Sequence, residues 1–304
     1  MLSPLTGLIA AAYTPLDADG KLNFDPIPGM VDRLISERIT GLYVCGSTGE
    51  GVSFTGEERK ATAQAFVQAA AGRIPVLVQV GHNSVWEAAS LAAHAQEIGA
   101  DALSATAPSY FKGIKIEELV DSMAEIAKAA PDLPFYYYHI PFMTGLAFDM
   151  VEFLQLASDK IPSLAGIKYS NPTLHEFQAC KAFENGRFDI LWGCDEMLLP
   201  ALAAGAKGAV GSTYNFAAPL YYNVIEAFEV RCMKEAQQLQ LLSVKLVRAL
   251  CKYPFLPATK QVMTWLGDDC GPARLPLPRM TDEQIQSLRS DIESLGFFEW
   301  GRPD

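Results

Sequence analysis

No block of lysine or arginine interrupts the 304-residue chain, only 19% of its residues are charged, and its net charge is -11. That balance excludes non-specific attraction to nucleic acid or to an anionic membrane. An anionic ligand must be gripped by local groups, because the overall field repels it. No apolar run reaches the ~20 residues that span a bilayer. The first residues, Met1-Leu-Ser-Pro-Leu-Thr-Gly-Leu-Ile-Ala10, lack the basic start and long apolar stretch of a signal peptide. Cys45, Cys180, Cys194, Cys232, Cys251 and Cys270 show no C-x-x-C spacing. The expectation is free thiols in a reducing cytoplasm. His82, His94, His139 and His175 are scattered, so no metal-ligand cluster is expected. Disorder is excluded as well, since half of the residues are hydrophobic and 10% are aromatic.

What is present is a repeating pattern. Short apolar runs begin at Leu8, Gly41, Pro75, Ala102, Leu133, Leu164, Phe188 and Gly208, each followed by a stretch of helical character. Thr55-Gly-Glu-Glu58, Ser84-Val-Trp-Glu87 and Thr173-Leu-His-Glu176 read as capping boxes opening three of the helices. A further helix is expected to start near Pro219. Eight units of roughly 20–35 residues match parallel βαβ repeats, and strands this uniformly apolar are buried on both faces. The pattern predicts a (β/α)8 (TIM) barrel over residues 1–228, with an open doubly wound sheet as the alternative. Beyond about Glu229 the strands stop. Leu239, Leu242, Leu246, Val247 and Leu250 share a helical face. A second helix is expected over 258–266, a proline-rich connector over 271–279, and a last helix capped by Thr281-Asp-Glu-Gln284. Residues 229–304 thus read as a C-terminal helical extension packed on the barrel.

Barrel active sites lie at the carboxyl ends of the strands. Those ends carry Thr14, Ser47-Thr48, Gly81-His82, Tyr110, Tyr138-His139, Lys168, Gly193-Cys-Asp-Glu196 and Ser212-Thr213. Lys168 ends the run Leu164-Ala-Gly-Ile-Lys168. Held there out of water, its amine is nucleophilic towards carbonyls; otherwise it reaches past the strand end to solvent. Gly46-Ser-Thr-Gly49 offers two hydroxyls and a glycine turn whose amides suit one anion, a carboxylate by size. It is neither a P-loop nor G-x-G-x-x-G, and an ordinary βα turn remains open. Alternation places Tyr136 and Tyr138 on one strand face and Tyr137 on the other. Tyr138 is therefore a proton-transfer candidate beside Lys168, or simply a packed aromatic. Asp195 and Glu196 suit sugar hydroxyls, or merely cap a helix.

Four motifs in order, Gly46-Ser-Thr-Gly-Glu50, Tyr138-His-Ile-Pro141, Gly166-Ile-Lys168 and Gly211-Ser-Thr-Tyr-Asn215, carry a resemblance over essentially the whole chain. It resembles the pyruvate-dependent class I aldolases of the dihydrodipicolinate synthase/N-acetylneuraminate lyase superfamily. Leu133-Pro-Phe-Tyr-Tyr-Tyr-His-Ile-Pro141, Gly193-Cys-Asp-Glu196, Gly208-Ala-Val-Gly-Ser-Thr-Tyr-Asn215 and Gly271-Pro-Ala-Arg-Leu-Pro-Leu-Pro278 are similar to the lyase branch. The synthase branch usually has an arginine shortly after Tyr-Asn-x-Pro, where this chain has Met143. The resemblance implies a Schiff base between Lys168 and the C2 ketone of a sialic acid, cleaved to pyruvate and N-acetylmannosamine without metal or organic cofactor. It implies Ser47 and Thr48 on the substrate carboxylate and Tyr138 on the C4 hydroxyl proton. Ser170, Gly193, Asp195, Glu196 and Ser212 would complete the substrate site. Tyr110 resembles the tyrosine that reaches a neighbouring subunit's site, which implies an oligomer, a homotetramer in most relatives. His139 stands where Asn is frequent, Ser170 where some members have Thr, and Cys194 where lyases differ among themselves. A sister aldolase or dehydratase acting on another 2-keto-3-deoxy sugar acid, and a non-catalytic sugar-acid-binding protein, are the alternatives.

Overall fold

The strands β1 (Gly7–Ala11), β2 (Gly41–Val44), β3 (Val76–Gln79), β4 (Ala102–Thr106), β5 (Phe135–His139), β6 (Leu164–Tyr169), β7 (Asp189–Trp192) and β8 (Gly208–Gly211) pair in chain order, all parallel. β8 pairs with β1, so the sheet closes into an eight-stranded barrel and the open-sheet alternative falls. The computed structural model describes residues 4–300. Around the strands lie α1 (Ile27–Ser36), α2 (Gly56–Ala70), α3 (Val85–Glu97), α4 (Ile116–Lys128), the single turn α5 (Pro141–Thr144), α6 (Met150–Lys160), α7 (Leu174–Ala182), α8 (Leu198–Ala203) and α9 (Tyr214–Glu229). Then come α10 (Met233–Leu250), α11 (Phe255–Trp265), α12 (Asp282–Glu293) and the short α13 (Phe297–Trp300), whose Phe297 ring packs on Phe216 of α9. Among the described residues no helix is long and apolar enough to cross a membrane.

The core has two shells. Ile9, Tyr43, Leu77, Tyr136, Tyr138, Leu191 and Val210 fill the barrel, while Leu42, Val44, Leu103, Tyr137, Ile167 and Trp192 face the helices. Strand alternation accounts for most of this sorting. β6 breaks it. Leu164 and Ile167, three residues apart, both face the helices, because the β5–β6 register slips by one residue between Phe135 and Tyr136. Had Leu164 set a strict alternation, Lys168 would point outward with it. The extra residue re-aims the strand's last turn, as bulges do.

Local chemistry explains the helix ends. Thr55 and Thr281 form reciprocal capping boxes with Glu58 and Gln284, and Ser84 accepts from the Glu87 amide. The box expected at Thr173 does not form. Its Glu176 carboxylate is taken instead by the Tyr169 hydroxyl and the Met150 amide. The helix expected near Pro219 starts earlier, at Tyr214, with Pro219 inside it and a kink at Ala217. Proline leaves the Asn215 carbonyl without its helical donor, and the Arg33 guanidinium donates to that oxygen at 3.0 Å. α11 likewise begins three residues before the expected Ala258, with Pro257 in its first turn, where a missing N–H costs nothing.

Candidate active site

Lys168 projects from β6 into the barrel mouth, directly opposite Tyr138 in the β5–β6 register, and only 3% of it is exposed. Its Nζ sits 3.5 Å from the Tyr43 ring centroid and 4.0 Å from that of Tyr138. The two rings meet edge to face at 5.6 Å. Aromatic walls replace water around the amine, and desolvation holds its pKa well below the ordinary lysine value, with the Asp195 carboxylate pulling the other way. The shift is towards the neutral amine. Burial raises the Tyr138 phenol above its usual value, opposed by hydrogen bonds from Ser47 and Ser170.

The loop after β2 brings two hydroxyls to the same mouth. Ser47 Oγ lies 3.4 Å from Tyr138 Oη, and Thr48 Oγ1 lies 2.7 Å from Ser212 Oγ, at the end of β8. The loop is closed at its neck by the Gly51 amide, which donates to the Gly46 carbonyl at 3.1 Å. A Cβ on Gly51 would come within 2.0 Å of the Cys45 carbonyl oxygen, so only glycine allows the closure. Cys45 and Glu50, on either side, are non-glycine residues at φ 59° and 55°. Each such left-handed residue costs about 1–3 kcal/mol and persists only where its surroundings hold it.

Asp195 is buried on the opposite side of the mouth, where its Oδ2 accepts from the Thr213 amide at 2.8 Å and from the Thr213 hydroxyl at 2.6 Å. Thr213 Oγ1 lies 2.6 Å from Tyr221 Oη, which lies 2.9 Å from Ser243 Oγ on α10. Desolvation pushes Asp195 up to about 6 in spite of these bonds. Glu196 is half-buried beside it, and its charge works in the same direction. Burial, Glu196 and Asp195 together push the Cys194 thiol up to about 12, far from a reactive thiolate. Gly193 leaves room for Ser170: a Cβ there would lie 2.1 Å from the serine Oγ.

The fold therefore gathers Ser47, Thr48, Tyr138, Lys168, Ser170, Gly193, Asp195 and Ser212 at one end of the barrel. It does not bring Tyr110 to them. That residue is 76% exposed on the β4–α4 loop, its ring against Phe111. Lys112 Nζ donates to the Thr144 carbonyl at 2.6 Å, which lays this loop against the α5 turn carrying Phe142 and Met143.

Comparison with known proteins agrees with this geometry. Residues 4–295 match the model of the dihydrodipicolinate synthetase family. The chain belongs to that family. Among curated relatives, N-acetylneuraminate lyase of Rattus norvegicus is 39% identical, covering 97% of this chain and 94% of its own. That of Xenopus tropicalis is 40% identical, covering 96% and 97%. The solved N-acetylneuraminate lyase of Proteus mirabilis superposes with a TM-score of 0.94 at 39% identity, covering 97% of this chain and all of that one.

Some residues of this family member's mouth escaped the sequence reading. Tyr43 forms half of the wall around Lys168, and the alternation Leu42-Tyr43-Val44 would have placed it inside the barrel. Thr213, which orients Asp195, stands in the quoted Gly211-Ser-Thr-Tyr-Asn215 motif. Glu50 stands in the quoted Gly46-Ser-Thr-Gly-Glu50 motif, but nothing local ties it to Lys260, 210 positions downstream, whose ammonium it meets in the folded chain.

Proposed function

We propose that the protein is a class I aldolase that cleaves N-acetylneuraminate reversibly to pyruvate and N-acetylmannosamine. The observation that carries the reading is a water-excluded amine, that of Lys168, whose burial favours the neutral form, under a tyrosine whose hydroxyl neighbours a serine- and threonine-bearing anion loop. The naming of its 38–41% identical curated relatives as N-acetylneuraminate lyases supplies the substrate.

Lys168 Nζ attacks the C2 ketone of the open-chain sugar acid, and one of its protons passes to the new C2 oxygen to give the carbinolamine, while Ser47 and Thr48 hold the adjacent carboxylate. Tyr138 gives its proton to the carbinolamine hydroxyl, which leaves as water, and the resulting phenolate faces a protonated imine. The phenolate takes the C4 hydroxyl proton as the C3–C4 bond breaks. The bond's electrons pass into the imine to form an enamine, and the sugar leaves as an aldehyde. Tyr138 then protonates C3. Water adds to the imine, returns a proton to Tyr138, and pyruvate departs from a regenerated amine. Every proton is accounted for within the site, and the sequence of steps calls on no metal or organic cofactor. Asp195, Glu196, Gly193, Ser170 and Ser212 bind the sugar portion.

The reading extends to assembly and location. Tyr110, Phe111, Phe142 and Met143, all exposed on the rim of the mouth, support an oligomer in which Tyr110 reaches a neighbouring site, a tetramer as the resemblance implies. Six unpaired cysteines support a reducing, cytoplasmic setting.

The deciding experiment is pyruvate release from N-acetylneuraminate, followed by lactate dehydrogenase and NADH oxidation, with Lys168→Ala as the blank. Release by the wild type alone is the expected result. No release from folded wild type overturns the substrate assignment and turns attention to other 2-keto sugar acids. Release by Lys168→Ala overturns the Schiff base.

A further inference from the structure

The anion loop is held from a distance. Glu50, the last residue before its neck, turns its carboxylate away from the mouth to Lys260 of α11, with Oε1 2.6 Å from Nζ. Neither side chain is more than 2% exposed. Lys260 Nζ also donates to the Thr14 carbonyl at 3.2 Å and the Pro272 carbonyl at 3.0 Å. The other Glu50 oxygen accepts from the Arg274 amide at 2.7 Å. The Arg274 guanidinium is anchored in turn by both oxygens of Glu58, at 2.9 and 2.8 Å, and by the Gly20 carbonyl. Thr14 closes the circuit, since its hydroxyl donates to the Gly49 carbonyl at 2.7 Å.

These contacts meet a need. Glu50 has a left-handed backbone that a non-glycine residue adopts only under constraint. Its amide donates to the Ser47 carbonyl, so the conformation of Glu50 fixes where the two hydroxyl-bearing residues lie. A buried carboxylate left without its ammonium would seek water, and the backbone turn would relax with it. We propose that Lys260, acting through Glu50, is a positioning residue that keeps the Ser47–Thr48 loop in its carboxylate-accepting form, making the C-terminal extension part of the substrate-binding apparatus. The inference rests on reading that loop as the carboxylate cradle.

Imine trapping by borohydride separates the two ideas. Lys168 is trapped with pyruvate, which carries a carboxylate, and with acetaldehyde, which does not; the adduct is counted by mass spectrometry. Lys260→Met should raise the half-saturating pyruvate concentration at least tenfold while moving that of acetaldehyde less than twofold. Thr48→Ala tests the cradle itself and should weaken pyruvate selectively. If Thr48→Ala does so and Lys260→Met does not, the positioning role is overturned and the cradle stands. If Thr48→Ala leaves pyruvate unaffected, the cradle reading falls and the inference with it. Equal weakening of both carbonyl compounds in Lys260→Met means general damage to the mouth and also overturns the role. Should Lys260→Met fail to fold, Glu50→Gln/Lys260→Met, which leaves no orphaned charge, is measured in its place against the same outcomes.

Discussion

The barrel mouth and its junction with the C-terminal helices each bury one lysine, to 3% exposure at Lys168 and 2% at Lys260. The surroundings differ in kind. Lys168 has two aromatic faces, and no carboxylate of the described residues reaches ion-pair distance of it. Lys260 has a carboxylate at 2.6 Å and two carbonyl oxygens. Water is excluded from both, yet only one environment replaces it with oxygens within hydrogen-bonding reach of the amine. Burial alone does not make a nucleophile; burial without compensation does. The compensated site is structural, and the uncompensated one is left free for chemistry.

Methionine at each position should pull the two apart. Lys168→Met is expected to reduce pyruvate release to the blank while leaving the urea midpoint unchanged or higher, because it removes an amine that nothing solvates. Lys260→Met leaves the Glu50 carboxylate buried without its ammonium, and loss of one partner of a buried pair costs about 3–5 kcal/mol. Equilibrium urea unfolding of both variants checks the contrast, and an equal loss at the two sites would break it. Tyr138→Phe keeps the aromatic wall and removes the hydroxyl. Turnover should fall by about 10²–10⁴, and the rate, though not the final extent, of borohydride trapping of pyruvate should fall with it, since the phenol assists dehydration as well as cleavage; turnover near that of the wild type would remove the proton-transfer role.

A smaller effect is expected from Asp195→Asn. This carboxylate favours protonation of Lys168, so removing it lowers the lysine pKa further and should move the acid limb of kcat to lower pH. A limb that stays in place would show that the lysine is set by its rings alone. His139 supplies a third buried base, with neither ring nitrogen hydrogen-bonded. Desolvation lowers its pKa to about 4. The unfolded chain binds this proton below about 6.5 and the folded chain does not. Stability should therefore fall as pH drops from about 6.5 towards 4, by up to ~1.4 kcal/mol per unit from this group. His139→Asn should lose less stability than wild type between pH 7 and 4.5, as read from urea midpoints.

Much of this was legible in the residues. Eight apolar runs at regular spacing fixed the barrel, because parallel strands buried on both faces leave that imprint. Polar residues at their carboxyl ends marked the mouth, because little else makes an apolar strand finish in Lys168 or Asp195. The aim of Lys168 was not legible. It depends on a register slip beside Ala165, and a run reading Leu-Ala-Gly-Ile does not reveal which residue is the extra one. The failed cap at Thr173 has a similar cause, since Glu176 had a competing partner in Tyr169 that no local motif shows. Glu50 and Lys260 lay furthest from view, as neither spacing nor periodicity links positions in β2's loop and α11.

The same long reach orders events in time. A chain emerging from the ribosome through residue 229 already holds all eight strands and Lys168. It still lacks both groups that secure Glu50, which arrive at Lys260 and Arg274, the latter 224 positions downstream. Contacts of such separation close late, after local ones. The contacts that hold the left-handed turn beneath Ser47 and Thr48 are thus completed only near the end of synthesis, and a growing chain carries its amine well before the proposed carboxylate cradle is secured.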